Sequence, residues 1–156
     1  MIEWSPLNGE ELMFVVEDGT FKTLNISQKK VEKTTFPSKY MVTVFRYHPK
    51  KEGIIAAGCS DGSIVFFNSL TKKGSLCKSK TAVEDIQWNP HEDYILVCYK
   101  GGYLKVIELM QTEECSNFDR QGQGIKSIAW INNMSGDFLS ATEKVGTIKV
   151  WNVAQK

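Results

Sequence analysis

Apolar positions in this chain come in short bursts that recur at long, regular intervals. Four segments share one pattern, apolar then variable then aromatic: Ile2-Glu3-Trp4, Phe45-Arg46-Tyr47, Ile86-Gln87-Trp88 and Ile128-Ala129-Trp130. The aromatics fall 43, 41 and 42 residues apart. A second landmark keeps the same pace. Gly19, Gly62, Gly102 and Gly146 each open an apolar or alternating stretch, at steps of 43, 40 and 44 residues. Two independent markers with one period near 42 identify a structural repeat, and a period of about 40–45 fits a unit of four strands.

Each repeat divides into strands. The first ends at the aromatic. Ser5-Pro6, His48-Pro49 and Asn89-Pro90 then turn the chain, because proline cannot donate to a continuing ladder. The second is a short apolar run: Leu12 to Val16, Ile54 to Cys59, Tyr94 to Tyr99 and Phe138 to Thr142. Such runs need both faces covered, since a half-exposed strand would alternate. The third follows the marker glycine, with Asp18-Gly19 and Asp61-Gly62 as tight-turn dipeptides. The fourth is polar, over Lys30 to Phe36, Lys73 to Lys80 and Thr112 to Arg120, and suits an outer edge. Thr81-Ala82-Val83-Glu84 matches a helix capping box. Pro90 follows within nine residues, however, and the segment aligns with three others that read as strands, so a strand is predicted there.

The predicted fold class is all-β: a partial β-propeller of about four four-stranded antiparallel blades, the last lacking its outer strand. Residues 1–156 form a single, incomplete domain with blades at roughly 1–37, 38–80, 81–121 and 122–156. Such a stack leaves one apolar face open at each end, and monomers rarely expose large apolar patches. The expected cover is the remaining half of a larger propeller or a second copy in a homodimer.

Composition narrows the function classes. A chain of 156 residues with 42% hydrophobic and 24% charged residues is an ordinary globular domain. Nineteen Lys plus Arg against eighteen Asp plus Glu leave a net charge of +1, which gives no global case for nucleic acid or an anionic membrane. The apolar runs fall far short of the ~20 residues of a membrane span. The N-terminus has neither the basic stretch nor the apolar core of a signal peptide. Cys59, Cys77, Cys98 and Cys115 lie 18, 21 and 17 residues apart, with no CxxC pair. They read as reduced thiols in a cytoplasmic protein, with the nucleus as the alternative setting. His48 and His91 lack neighbours at ligand spacing, so no metal and no cofactor is expected.

The remaining candidates for chemistry read as structural. Asp18, Asp61, Asp85 and Asp93 are turn or solvent carboxylates, because no acid–base partner recurs beside them. Gln121-Gly122-Gln123-Gly124 lacks the lysine and helix of a phosphate loop. Trp4, Trp88, Trp130 and Trp151 occupy repeat-equivalent places and are expected in the core between blades. No catalysis is predicted. Lysines at Lys29-Lys30, Lys50-Lys51, Lys72-Lys73 and Lys78 to Lys80 support one alternative function, association with RNA or acidic phospholipid.

Gly146-Thr147-Ile148-Lys149-Val150-Trp151-Asn152 resembles the signature strand of the WD-repeat β-propeller family, with Asn152 where that family usually has aspartate. Ile125 to Trp130 resembles the family's innermost strand. The resemblance covers essentially the whole chain. It implies a ring of blades serving as a non-catalytic scaffold that docks other proteins on a loop rim. Carried over by position, that rim comprises Lys39, Tyr40, Thr81, Tyr99, Lys100, Arg120, Gln121, Gln123, Glu143 and Lys144. The family's Gly-His dipeptide before the first strand is missing from every repeat. Asp18 and Asp61 keep its turn aspartate, whereas Lys100 and Val145 occupy or adjoin that place elsewhere. The resemblance then implies that the family's His–Ser/Thr–Trp–Asp hydrogen-bond network is absent and that the blades rely on apolar stacking.

Overall fold

The computed structural model describes residues 1–16, 20–34, 41–71, 73–79, 81–109, 116–118, 124–142 and 146–154. Fifteen strands and no helix occur among them. The first sheet is β1 (Ile2–Trp4), β2 (Glu11–Val15), β3 (Phe21–Asn25) and β4 (Lys30–Thr34), in that order. The second is β5 (Val42–Tyr47), β6 (Ile54–Cys59), β7 (Ile64–Asn68) and β8 (Lys73–Cys77). The third is β9 (Val83–Trp88), β10 (Tyr94–Tyr99), β11 (Tyr103–Glu108) and β12 (Ser116–Phe118). The fourth holds β13 (Ile125–Trp130), β14 (Asp137–Thr142) and β15 (Ile148–Asn152). Every pairing is antiparallel between consecutive strands, so each sheet is a meander. The capping-box segment opens no helix: its Val83 and Glu84 begin β9, as the repeat alignment requires.

The sheets stack face to face, and the core consists of the three seams between them. Met13 and Phe21 meet Phe45, Ile55, Ala57 and Phe67 in the first seam. Ile54, Ala56 and Phe66 meet Ile86, Val97 and Tyr99 in the second. Leu96, Cys98 and Val106 meet Ile125, Ile128 and Phe138 in the third. Successive residues of a strand point to opposite faces. In β6, Ile55 and Ala57 therefore enter the first seam while Ile54 and Ala56 enter the second. All six residues of β6 are buried, which is why its sequence is a continuous apolar run. β14 lies in an end sheet and alternates half-buried with buried.

The marker glycines have a backbone cause. Gly62, Gly102 and Gly146 have φ of 89°, 84° and 62°, in the left-handed region that side chains disfavour. At Gly62 a Cβ would also lie 2.5 Å from the Thr81 carbonyl oxygen. The turn of the second sheet thus abuts the entry to the third. Gly19 lies outside the described residues.

The recurring aromatic does more than fill space. Trp88 Nε1 donates to the Arg46 carbonyl at 3.2 Å, and Trp130 Nε1 to the Gln87 carbonyl at 2.9 Å. In the first seam Tyr47 takes the indole's place, and its hydroxyl donates to Glu11 Oε1 at 2.9 Å. β5, β9 and β13 therefore each send an aromatic donor into the preceding sheet. Thr43 adds a tie in the other direction, donating from Oγ1 to the Val83 carbonyl at 2.7 Å. These ties correct the expectation of purely apolar stacking. One link of the family-type network also survives, since Trp151 Nε1 donates to Ser140 Oγ at 2.8 Å. Trp4 departs from the predicted core as well. It is 53% exposed, because the face of the first sheet that carries it meets no other described sheet.

Trp88→Ala is expected to destabilise by roughly 3–5 kcal/mol, the usual cost of truncating a large buried aromatic. Half-buried Trp130 should give a smaller loss. Gly62→Ala is expected to cost about 1–3 kcal/mol through strain at positive φ. Urea melts of the three variants against the parent chain measure all three values.

Candidate docking rim and its grooves

Of the ten rim residues, Thr81, Tyr99 and Lys100 are described. Lys39, Tyr40, Arg120, Gln121, Gln123, Glu143 and Lys144 lie outside the described residues. The three described ones converge. The Lys100 amide donates to the Ala82 carbonyl at 2.8 Å, joining the β10–β11 turn to the entry of β9. Lys100 is exposed, and Thr81 is half-buried. Tyr99 stands at the rim end of β10, but its ring is 1% exposed and belongs to the second seam. Strand parity explains this, because Tyr99 shares a face with Ile95 and Val97.

Beside these residues lies a cavity of about 170 Å³, lined by Ser79, Thr81, Tyr99, Tyr103 and Lys105. It sits between the chain leaving β8 and the start of β11, at the mouth of the second seam. Tyr103 pairs directly with Tyr99 across the ladder and is 42% exposed. Lys105 Nζ lies 5.5 Å from the Tyr99 ring centroid, within range of a cation–π contact. The groove therefore presents an aromatic wall, two hydroxyl residues and a cation. Tyr103 and Lys105 were absent from the rim inferred by resemblance. Their alternation after Gly102, in register with Tyr99, is the sequence signal that finds them.

A second cavity, of about 260 Å³, lies at the mouth of the third seam and is lined by Glu84, Asp85, Cys98, Gly124, Ile125, Lys126 and Ser127. β9 and β13 each shift register here, at the ladder steps spanning Glu84 and Lys126, and β5 does so at Thr43. Such bulges re-aim side chains at a sheet's rim. Asp85 Oδ1 accepts from the Ile86 amide at 2.8 Å and lies 3.4 Å from Arg46 Nη2, bridging two inner strands. The Cys98 thiol is pushed up to about 12 by burial and by the nearby Glu84 and Asp85 charges, so it is a protonated packing group. Among the described residues, no three His, Cys, Asp or Glu side chains gather as a metal site.

His48 ties the opposite end of the second seam. Its ring lies 4.4 Å from that of Trp88 and is buried. Nδ1 accepts from the Lys50 and Lys51 amides, both at 3.0 Å, so the proton sits on Nε2. Nε2 donates to Asp93 Oδ1 at 3.2 Å, and Lys51 binds the other carboxylate oxygen. Burial holds the imidazole below its ordinary value. The Lys51 hydrogen bond holds Asp93 low. His48 thus remains a turn residue, as the repeat predicts, and its imidazole also joins two sheets.

Comparison with known proteins matches this arrangement. The family model for the anaphase-promoting complex subunit 4 WD40 domain matches residues 71–133. The periodic tryptophan protein 1 homolog of Drosophila melanogaster is 26% identical over 113 residues, covering 68% of this chain and 24% of that protein. WD repeat-containing protein AAC3 of Dictyostelium discoideum is 21% identical over 112 residues, covering 70% and 23%. The chain is thus similar to proteins and domains of the WD-repeat family. The WD40 domain of Toxoplasma gondii coronin superposes with a TM-score of 0.83 at 17% identity, over 99% of this chain and 44% of that one. The chain spans about a quarter of the length of the curated relatives it matches. WD40 domains generally act as protein-interaction scaffolds. Among the described residues no helix is long and apolar enough to cross a membrane.

Glu3 gives this stack of sheets a pH signature. Burial pushes its carboxyl up to about 7, against the opposing pull of Arg46 and a hydrogen bond from the Tyr47 backbone. Its Oε2 is buried with no hydrogen-bond partner. The folded state thus holds this proton more tightly than the unfolded state. The resulting stability is complete below pH 4.5 and is lost as pH rises through about 7. Glu3→Gln is therefore expected to raise the melting midpoint at pH 8 and to change it little at pH 4.5. Thermal melts across that range check the sign.

Proposed function

We propose that this chain is a non-catalytic scaffold that docks partner proteins on its loop rim. The observation that carries the reading is the groove at the mouth of the second seam. There Thr81, Tyr103 and Lys105 line a cavity, and the exposed Lys100 is tied by its amide to Ala82, next to Thr81. Tyrosine is among the residues that most often carry interface energy. The general role of WD40 domains supports the same reading. The setting we propose is cytoplasmic, with the nucleus as the alternative. Cys98 is a buried free thiol, in keeping with a reducing compartment.

The surface lysines give less support to an RNA- or phospholipid-bound propeller. Lys30 pairs with Glu32 at 2.8 Å and Lys51 with Asp93, while Lys149 lies 5.6 Å from the Trp151 ring centroid. These cations sit on three different sheets and make local contacts.

The test is affinity capture from the protein's own cells, comparing the parent chain with a Lys100→Glu/Tyr103→Ala/Lys105→Glu variant. Capture of the parent's specific protein partners is expected to fall at least tenfold. Tyr99 is left intact because its burial would confound the result. The melting midpoint should stay close to the parent's, since exposed substitutions usually shift stability by within about 0.5 kcal/mol. Undiminished capture by the folded variant would place docking elsewhere. Bound material that is nucleic acid, released by modest salt, would favour the alternative.

A further inference from the structure

The groove at the mouth of the second seam has a charge and a shape that specify a partner. Its described lining residues include one ammonium, that of Lys105, and no carboxylate. Two more lysines border it. Lys78 is exposed and precedes Ser79, and Lys100 is exposed beside the Ala82 tie. Three carboxylates of the neighbouring elements are engaged or placed elsewhere. Asp61 of the β6–β7 turn accepts from the Ser63 amide at 3.0 Å and from its hydroxyl at 2.7 Å, within its own loop. Glu84 and Asp85 line the separate cavity at the third seam, where Asp85 lies 3.4 Å from Arg46 Nη2. The two cavities beside the third sheet therefore differ in sign. One holds a lysine without an acid, and the other holds two acids with Lys126.

The shape follows from strand parity. Tyr103 and Lys105 stand on one face of β11, two residues apart, which separates their side chains by about 6.7 Å. Lys105 is half-buried, and its Nζ lies over the Tyr99 ring. A lysine whose stem is packed has less freedom to lose on binding, and its partly desolvated charge attracts an anion more strongly than a solvated one. The exposed part of the Tyr103 ring offers apolar surface next to that charge. At about 170 Å³ the cavity is smaller than the 300–1,000 Å³ typical of small-molecule pockets, and it admits one side chain rather than a nucleotide. Phosphate is best held by arginine forks or nests of backbone amides. An ammonium with the Ser79 and Thr81 hydroxyls suits a carboxylate instead.

We propose that the partner docked here is an acidic segment of another protein, bound in extended form. A glutamate or aspartate carboxylate accepts from Lys105 Nζ, and an apolar side chain two residues away lies on the Tyr103 ring. An extended chain presents same-side residues at that interval, so the spacing of Tyr103 and Lys105 selects the pattern acidic, any residue, apolar. Lys78 and Lys100 add a field that draws the acidic segment in and speeds its encounter more than it holds the complex. This inference rests on rim docking at the same groove and names the chemistry of the partner.

The test is fluorescence anisotropy of labelled peptides titrated with the 156-residue chain. The probe repeats Glu-Ser-Leu-Ser, and its controls repeat Gln-Ser-Leu-Ser, Lys-Ser-Leu-Ser and Glu-Leu-Ser-Ser. The Glu-Ser-Leu-Ser probe is expected to bind about tenfold tighter than the Gln control, the effect of one charge-assisted hydrogen bond partly removed from water. That advantage should shrink as salt is added. The Glu-Leu-Ser-Ser control has the same composition but no acidic and apolar residues two apart, and it should bind more weakly than the probe. Lys105→Met, which keeps the stem and loses the charge, is expected to abolish the preference for Glu over Gln. Lys105→Gln repeats this should that variant misfold by circular dichroism. Lys105→Glu should turn the preference toward the Lys control. No binding of the probe, equal binding of the Gln control, or a preference that survives in Lys105→Met overturns the proposal. So does tighter binding of a phosphoserine peptide or of single-stranded RNA. If the acidic preference fails while the Lys100→Glu/Tyr103→Ala/Lys105→Glu variant still loses its cellular partners, rim docking stands and the acidic partner alone is refuted.

Discussion

A sheet that is apolar on both faces cannot stand in water, and everything in this structure follows from that constraint. β6 and β10 are buried strands whose alternate residues enter different seams. Each sheet therefore requires a neighbour on either side. At about 25 cal/mol per Å² of apolar surface removed from water, the seams are the main source of stability. Hydrogen bonds within each meander satisfy the backbone but do not hold one sheet against the next.

Stacking alone leaves sheets free to slide, and polar groups at the seam margins fix their positions. The indoles of Trp88 and Trp130 bind backbone carbonyls, which mutation of a side chain cannot remove. At the opposite end of the second seam, His48 and Asp93 join two sheets through their side chains. The tight turn at Gly62 presses against Thr81 and sets the separation there. The rim groove is a by-product of this geometry. Where two twisted sheets diverge at a seam mouth, side chains such as Tyr103 and Lys105 line the gap rather than fill it.

Period and strand order were legible in the sequence because they depend on local rules. Proline ends a strand, glycine permits a positive φ, and an unbroken apolar run needs two covered faces. Burial of individual aromatics was less legible. Trp4 and Trp88 are equivalent by repeat, yet only Trp88 has a sheet beneath it. Tyr99 was placed on the rim by its position in the loop register, while strand parity sends its ring into the seam. The ties from Trp151 to Ser140 and from His48 to Asp93 were hidden for another reason. Each joins residues 11 or 45 positions apart, and only the assembled stack brings them together.

The central claim is that protection flows from coverage on both faces. Native-state amide hydrogen exchange on the 156-residue chain tests it most directly. The account predicts the slowest exchange in β6 and β10, with β2 and β14 opening at markedly lower free energy. Equal protection across all four sheets, or greatest protection in an end sheet, would contradict it.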